Sequence, residues 1–146
     1  MKNAYEQYKS VTVVGKDPLQ LMVMLYDGAI SSLNHAKRHI SEGSIEQAHN
    51  ELQRAKQIVI YLLSSLNPSQ GTDAERQLSS NLSRLYAFCY ERIGAANLKK
   101  DPAEIDAVIT VLDKLRAGWV ELRQSGAWTP PQPCQNDEHV IELAEA

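Results

Sequence analysis

The sequence predicts an all-α fold, an antiparallel up-down-up-down four-helix bundle behind a short N-terminal arm. Three observations predict it. Apolar residues recur at alternating steps of three and four over four long stretches, the pattern of helices packed along a left-handed seam. The breaks between these stretches carry helix start and stop signals: Asp17-Pro18, Gly43, Asn67-Pro68 with Gly71, and Asp101-Pro102. No stretch alternates with the period of two that a half-buried strand needs.

Residues 1–16 form the arm. Tyr5, Tyr8 and Val11 stand at steps of three among Lys2, Glu6, Gln7, Lys9 and Ser10. A helix this short is not stable alone in water, so the arm is expected to dock on the bundle or on a partner. The bundle is expected over residues 17–123. Its first helix opens at Asp17-Pro18, where aspartate caps and proline fills a position whose N–H has no partner anyway. Its seam is Leu19, Met22, Tyr26, Ala29, Leu33, Ala36 and Ile40. Gly43 ends it near Glu42, and Ser44-Ile45-Glu46-Gln47 predicts a capping box for the second helix. That helix carries Ile45, Ala48, Leu52, Ala55, Val59, Leu62 and Leu66.

The loop around Asn67-Pro68-Ser69-Gln70-Gly71 leads to a less regular third helix with Leu78, Leu82, Leu85, Cys89, Ile93 and Ala96. Lys99 and Lys100 sit where the negative end of its dipole favours cations. Asp101-Pro102, with Glu104 as a second predicted capping box, opens a fourth helix carrying Ile105, Val108, Leu112, Leu115, Trp119 and Leu122. Each helix is expected to run ~21–25 residues, roughly 32–38 Å. Residues 124–146, with Gly126, Pro130, Pro131 and Pro133, do not continue it and read as an extended or disordered acidic tail with a weak helical turn near Val140–Leu143.

Several apolar residues lie off these seams: Ile58, Ile60, Tyr61 and Leu63, then Tyr86, Phe88 and Tyr90, then Ile109 and Val111. They fit either a wider buried stripe or an exposed apolar groove for a partner helix.

Composition narrows the functional classes. The 146 residues are 43% apolar and 23% charged, enough for one globular domain. No apolar run approaches the ~18 residues of a membrane span, and Met1-Lys2-Asn3-Ala4-Tyr5 lacks the apolar core of a signal peptide. The two cysteines, Cys89 and Cys134, form no disulfide framework, which fits the cytosol. The net charge of −3 is partitioned: Asp137, Glu138, Glu142 and Glu145 give the tail −4, while the first 123 residues carry 15 basic and 14 acidic side chains. A near-neutral body offers neither a nucleic-acid footprint nor a polybasic membrane patch.

Catalytic and metal constellations are sparse. Glu46-x-x-His49 is a single copy of a motif that a di-iron bundle needs twice, and both residues fall off the seam. His35 and His39 have metal-compatible spacing but no third ligand in sequence. His35 lacks the surroundings of a phosphotransfer histidine. Cys89 reads as a buried apolar filler, and no base or cation near Cys134 activates it. No phosphate-binding glycine loop or nucleophile elbow is present. The expectation is a binding protein without catalytic residues, metal or cofactor, with a phosphotransfer or metal-binding bundle as the different-class alternative.

Several segments carry a resemblance when read in order: Ala4-Tyr5 with Val11; Asp17-Pro18-Leu19-Gln20-Leu21; Met24-Leu25-Tyr26-Asp27-Gly28-Ala29-Ile30; Ala55-x-x-Ile58; Leu63-x-x-Leu66-Asn67; Asn81-Leu82-x-x-Leu85-Tyr86; Arg92-Ile93-x-x-Ala96-Asn97-Leu98-Lys99-Lys100-Asp101; and Leu115-Arg116-x-x-Trp119. Together, over roughly residues 4–123, they resemble the flagellar export chaperone family FliS. One departure stands at the opening of the third helix. The family's Gly-Gly-Glu turn is replaced by Gly71-Thr72-Asp73-Ala74-Glu75.

The resemblance implies a bacterial cytosolic chaperone of flagellar type III export. It would bind the unstructured C-terminal segment of flagellin in apolar grooves and prevent premature polymerisation. Tyr5, Tyr8 and Val11 would form a displaceable cap. Leu62, Leu66, Leu82, Tyr86, Leu115, Trp119 and Leu122 are the groove candidates, each of which also fits a core position. Asn81, Arg92 and Asn97 would fix inter-helix geometry or helix ends. A regulator that binds an anti-sigma factor or a co-chaperone would use the same groove, and an open groove also permits a homodimer.

Overall fold

The computed structural model describes residues 18–67 and 69–126. Within them lie helices α1 (Pro18–Ser41), α2 (Ile45–Ser64), α3 (Asp73–Lys99) and α4 (Pro102–Ser125). Each packs on the next and α1 packs on α4, so the four close into a ring around one core. No strand occurs among the described residues. The predicted bundle is the observed architecture. The fourth helix runs two residues beyond the expected boundary at 123, through Ser125, and ends at Gly126 in the left-handed conformation.

Antiparallel order is written in the cross-helix polar pairs. Gln20, Asp27 and Lys37 ascend α1 in steps of seven and ten. Their partners Arg123, Arg116 and Asp106 descend α4 in the same steps. His35 pairs with Glu51 across α1 and α2, His49 with Asn97 across α2 and α3, and Arg92 with Glu104 across α3 and α4.

The helix ends explain the connections. Gly43, with φ 77°, closes α1: Ser44 N–H bonds to the His39 carbonyl and Gly43 N–H to the Ile40 carbonyl, a Schellman closure. The predicted Ser44 capping box does not form, because the Ser44 side chain makes no cap hydrogen bond. The Asp101 box does not form either. Asp101 caps through the Ala103 N–H at 3.0 Å, while Glu104 turns to Arg92 on α3.

A capping box does form where none was expected. Thr72 accepts from the Glu75 N–H at 3.1 Å and its own N–H bonds to Glu75 Oε1 at 3.2 Å. The departure from Gly-Gly-Glu is thus a complete N-cap of another kind. Gly71 is needed there twice over. Its φ is 92°, and a Cβ would meet the Glu75 side chain at 3.1 Å. The α3–α4 turn has only Lys100 and Asp101, and Lys100 takes the left-handed conformation with its ammonium on Asn97.

The core follows most of the predicted seams, with three corrections. Ile45 at 49%, Leu78 at 47% and Leu85 at 37% exposure are not core. Ile45 and Leu78 sit in the first two turns of their helices, where few neighbours reach them. Tyr86, not Leu85, is buried. Burying Tyr86 continues the spacing Leu82, Tyr86, Cys89, Ile93, Ala96 without a break. It also brings its hydroxyl against that of Tyr26 across the bundle, with ring centroids 6.5 Å apart. Trp119 Nε1 donates to Tyr26 at 2.8 Å, so α1, α3 and α4 share one hydrogen-bonded chain. Burial pushes both tyrosines up, Tyr86 to about 12. Arg54 enters between α1 and α2, donating to Ser32 and the Gly28 carbonyl, and burial lowers its pKa.

Candidate binding groove on helices α3 and α4

Much of the surplus apolar surface is core. Ile58 and Tyr86 are fully buried, and Tyr61, Leu63, Phe88, Ile109 and Val111 are half-buried against the core. Of the apolar residues left exposed, Leu78 and Leu85 lie on the side of the bundle where α3 meets α4, and Ile45, Ile60, Tyr90 and Leu98 lie off it. Leu78, Leu85 and Arg92 recur every seven residues and so share one stripe of α3. Arg92 pairs with Glu104, which turns this stripe toward α4. On α4, Val111 and Gly118 recur every seven residues from Glu104, and Leu115 and Leu122 lie beside them. With this antiparallel register, Leu85 comes level with Val111 and Leu78 with Gly118.

An apolar strip results. Leu78 and Leu85 are exposed on one bank, and Val111, Leu115 and Leu122 are half-buried on the other. Leu82 forms the floor at 5% exposure. Gly118 leaves a gap in the wall, because a Cβ added there would meet nothing within 4 Å. Arg92, paired with Glu104 at 3.2 Å and stacked 5.3 Å over Phe88, closes one end. From Arg92 to Leu78 the strip is ~21 Å long at the helical rise. A smaller apolar set lies on the α2–α3 side. There Lys56 covers the Tyr90 ring at 4.8 Å and Ile60 is exposed.

The predicted site residues divide into three groups. Tyr5, Tyr8 and Val11 lie outside the described residues. Leu62, Leu82 and Tyr86 belong to the hydrophobic core. Their seam spacing faces the bundle axis, and Tyr86 is held there by its hydroxyl. Leu115, Trp119 and Leu122 are half-buried on α4, and Leu66 is half-buried just beyond α2. Sequence reasoning placed Leu78 and Leu85 on the core seam, whereas both are exposed. The signal was their spacing of seven from Arg92, an exposed cation, which puts them on the edge of the helix rather than its inner face.

Neither chemical alternative gains support. Among the described residues, no three His, Cys, Asp or Glu side chains come together as a metal site. Glu46 and His49 are exposed, and His49 accepts from Asn97 at 2.9 Å. Asn97 also accepts from Lys100, so it ties α2 to the α3 terminus. Cys89 is buried and burial pushes its thiol up to about 12, which leaves no thiolate for chemistry. Among the described residues no helix is long and apolar enough to cross a membrane.

Compared with known families, residues 1–126 match the profile described as Flagellar protein FliS. The chain belongs to the FliS family. It is 31% identical over 126 residues to the flagellar secretion chaperone FliS of Vibrio cholerae, covering 84% of this chain and 90% of that one. It is 30% identical over 112 residues to FliS of Salmonella typhimurium, covering 75% and 79%. It is 26% identical over 125 residues to FliS of Bacillus subtilis, covering 86% and 90%. The structure is similar to a crystal structure of a bacterial flagellar chaperone, with a TM-score of 0.66 at 17% identity, covering 84% of this chain and 99% of that one. Family and fold point to a protein that works by binding rather than by catalysis.

Proposed function

We propose that this FliS-family chain holds the C-terminal segment of unpolymerised flagellin in the bacterial cytosol and delivers it for flagellar type III export. The observation that carries the proposal is the exposed apolar strip between α3 and α4. Leu78 and Leu85, exposed two helical turns apart opposite a half-buried apolar bank, make a contiguous patch rather than scattered single exposures. An amphipathic helix presenting apolar residues at i, i+3, i+4 and i+7 fits a strip of this length. A client that is unstructured when free gives up ordering entropy on binding, so a large contact can still be released at the export gate. Covering that segment also hides the surface by which it would polymerise. Tyr5, Tyr8 and Val11 serve as a displaceable cover in this reading.

The test is retention of flagellin by the immobilised full chain, with and without the flagellin C-terminal segment. Retention is expected only with the segment. Equal retention of both forms would refute the reading.

A further inference from the structure

The strip is flanked by two cations that the bundle does not use. Arg84 and Lys114 are both exposed, and among the described residues no ion pair engages either. In the register set by Arg92 and Glu104 they stand within two residues of the same level, Lys114 beside Val111 and Leu115 on α4 and Arg84 next to Leu85 in sequence, further out on α3. The nearest acids on the same rims, Glu91 and Glu121, lie seven residues away on either side. The strip is therefore apolar along its floor and positive at its middle.

The chain itself carries a segment of matching chemistry. Residues 137–145 interleave Val140, Ile141 and Leu143 with Asp137, Glu138, Glu142 and Glu145, and residues 124–146 hold no lysine or arginine. The segment follows from Gly126, at the α4 end of the strip. Lys114 lies twelve residues back along α4, ~18 Å at the helical rise. The eleven residues 127–137 can span up to ~36 Å. The acidic segment can therefore reach the middle of the strip with slack.

We propose that residues 137–145 dock in the α3–α4 strip of their own chain and compete there with the client, a built-in pseudo-client. This rests on the reading of the strip as the client groove. A tether of this length gives an effective concentration of order mM, so even weak docking fills the strip a substantial part of the time. Apparent client affinity falls by the fraction of open strips. Ion pairs at the rims would be weakened by salt, which makes the competition tunable.

The test uses the full chain with a nitroxide on Cys134, since Cys89 is buried and unreactive. Amide resonances of Leu85, Val111 and Lys114 are expected to broaden, and those of Gln53 on α2 to stay sharp. Reversing the tail with Asp137→Lys, Glu138→Lys, Glu142→Lys and Glu145→Lys should abolish the broadening. Adding Arg84→Glu and Lys114→Glu to that variant should restore it. The tail-reversed variant should bind the flagellin C-terminal segment about two- to tenfold more tightly, and the segment should relieve the broadening in the native chain. Sharp groove resonances in the native chain overturn the proposal without touching the chaperone reading, because this readout needs no client. Broadening that arises only between labelled and unlabelled chains overturns it in favour of docking on a second copy. Broadening that persists while the client is bound overturns the competition.

Discussion

Tyr26, Tyr86 and Trp119 form one buried polar cluster, and removing either tyrosine hydroxyl should cost a similar, modest amount. Tyr26 accepts from Trp119 Nε1 at 2.8 Å and shares a hydrogen bond with Tyr86. Tyr86→Phe removes one member of the cluster. The Tyr26 hydroxyl keeps Trp119, so the loss is one neutral hydrogen bond, about 1–1.5 kcal/mol. Tyr26→Phe leaves the Tyr86 hydroxyl and the Trp119 indole, which also hydrogen-bond each other, still paired. Its expected loss is therefore of the same size, about 1–1.5 kcal/mol. The double variant should fall short of the sum by about 1 kcal/mol, because the shared bond is lost once. Urea unfolding of the three variants, followed by circular dichroism at one protein concentration, measures all three quantities. If either single variant costs more than about 3 kcal/mol, or if the two losses add, the three groups do not share one hydrogen-bonded cluster.

Thr72→Ala should lower stability by about 1 kcal/mol, while Ser44→Ala should change it by less than ~0.5 kcal/mol, since only Thr72 makes a side-chain cap bond; thermal unfolding of both compares them. Leu62→Ala should cost about 2–5 kcal/mol, as a fully buried core truncation, with little change in client affinity per folded molecule. Leu85→Asp should do the reverse, leaving the urea midpoint nearly unchanged and weakening flagellin-segment binding measured by calorimetry. Alkali should destabilise the fold. Tyr26, Tyr86 and Cys89 have folded-state values raised by burial, the last two to about 12. Their contribution is complete below the unfolded values, ~8.5 for cysteine and ~10 for tyrosine, and is lost as pH rises toward the folded ones. Urea midpoints should therefore hold from pH 7 to about 8.5 and then decline, and a flat profile to pH 11 would contradict the burial of these groups.

Much of the fold was legible because helices and their ends are local. Gly43 had to sit past a helix end, Asp101-Pro102 had to open one, and the three-four steps set which face of each helix turns inward. Legibility failed where a choice depended on another helix. Leu85 and Tyr86 are neighbours with equal claims on one core position, and the partner hydroxyl of Tyr26 on α1 settles which enters. Glu104 stands at the right spacing to return to Asp101, but Arg92 on α3 is the stronger partner for a carboxylate. Leu62, Leu82 and Tyr86 were candidates for groove or core on equal terms, since apolar spacing is the same for both. Only the burial that all four helices create together tells them apart.

By itself, then, the sequence determined the all-α class, the number and polarity of the helices, the family and the charge split between body and tail. These depend on side chains close along one chain segment, or on which residue types stand in which order. The tertiary structure decided which leucines are left on the surface, and that Leu78 and Leu85 among them lie on the α4 side of α3. Such placements depend on the rotation of each helix about its axis, and that angle is fixed by contacts between residues dozens of positions apart.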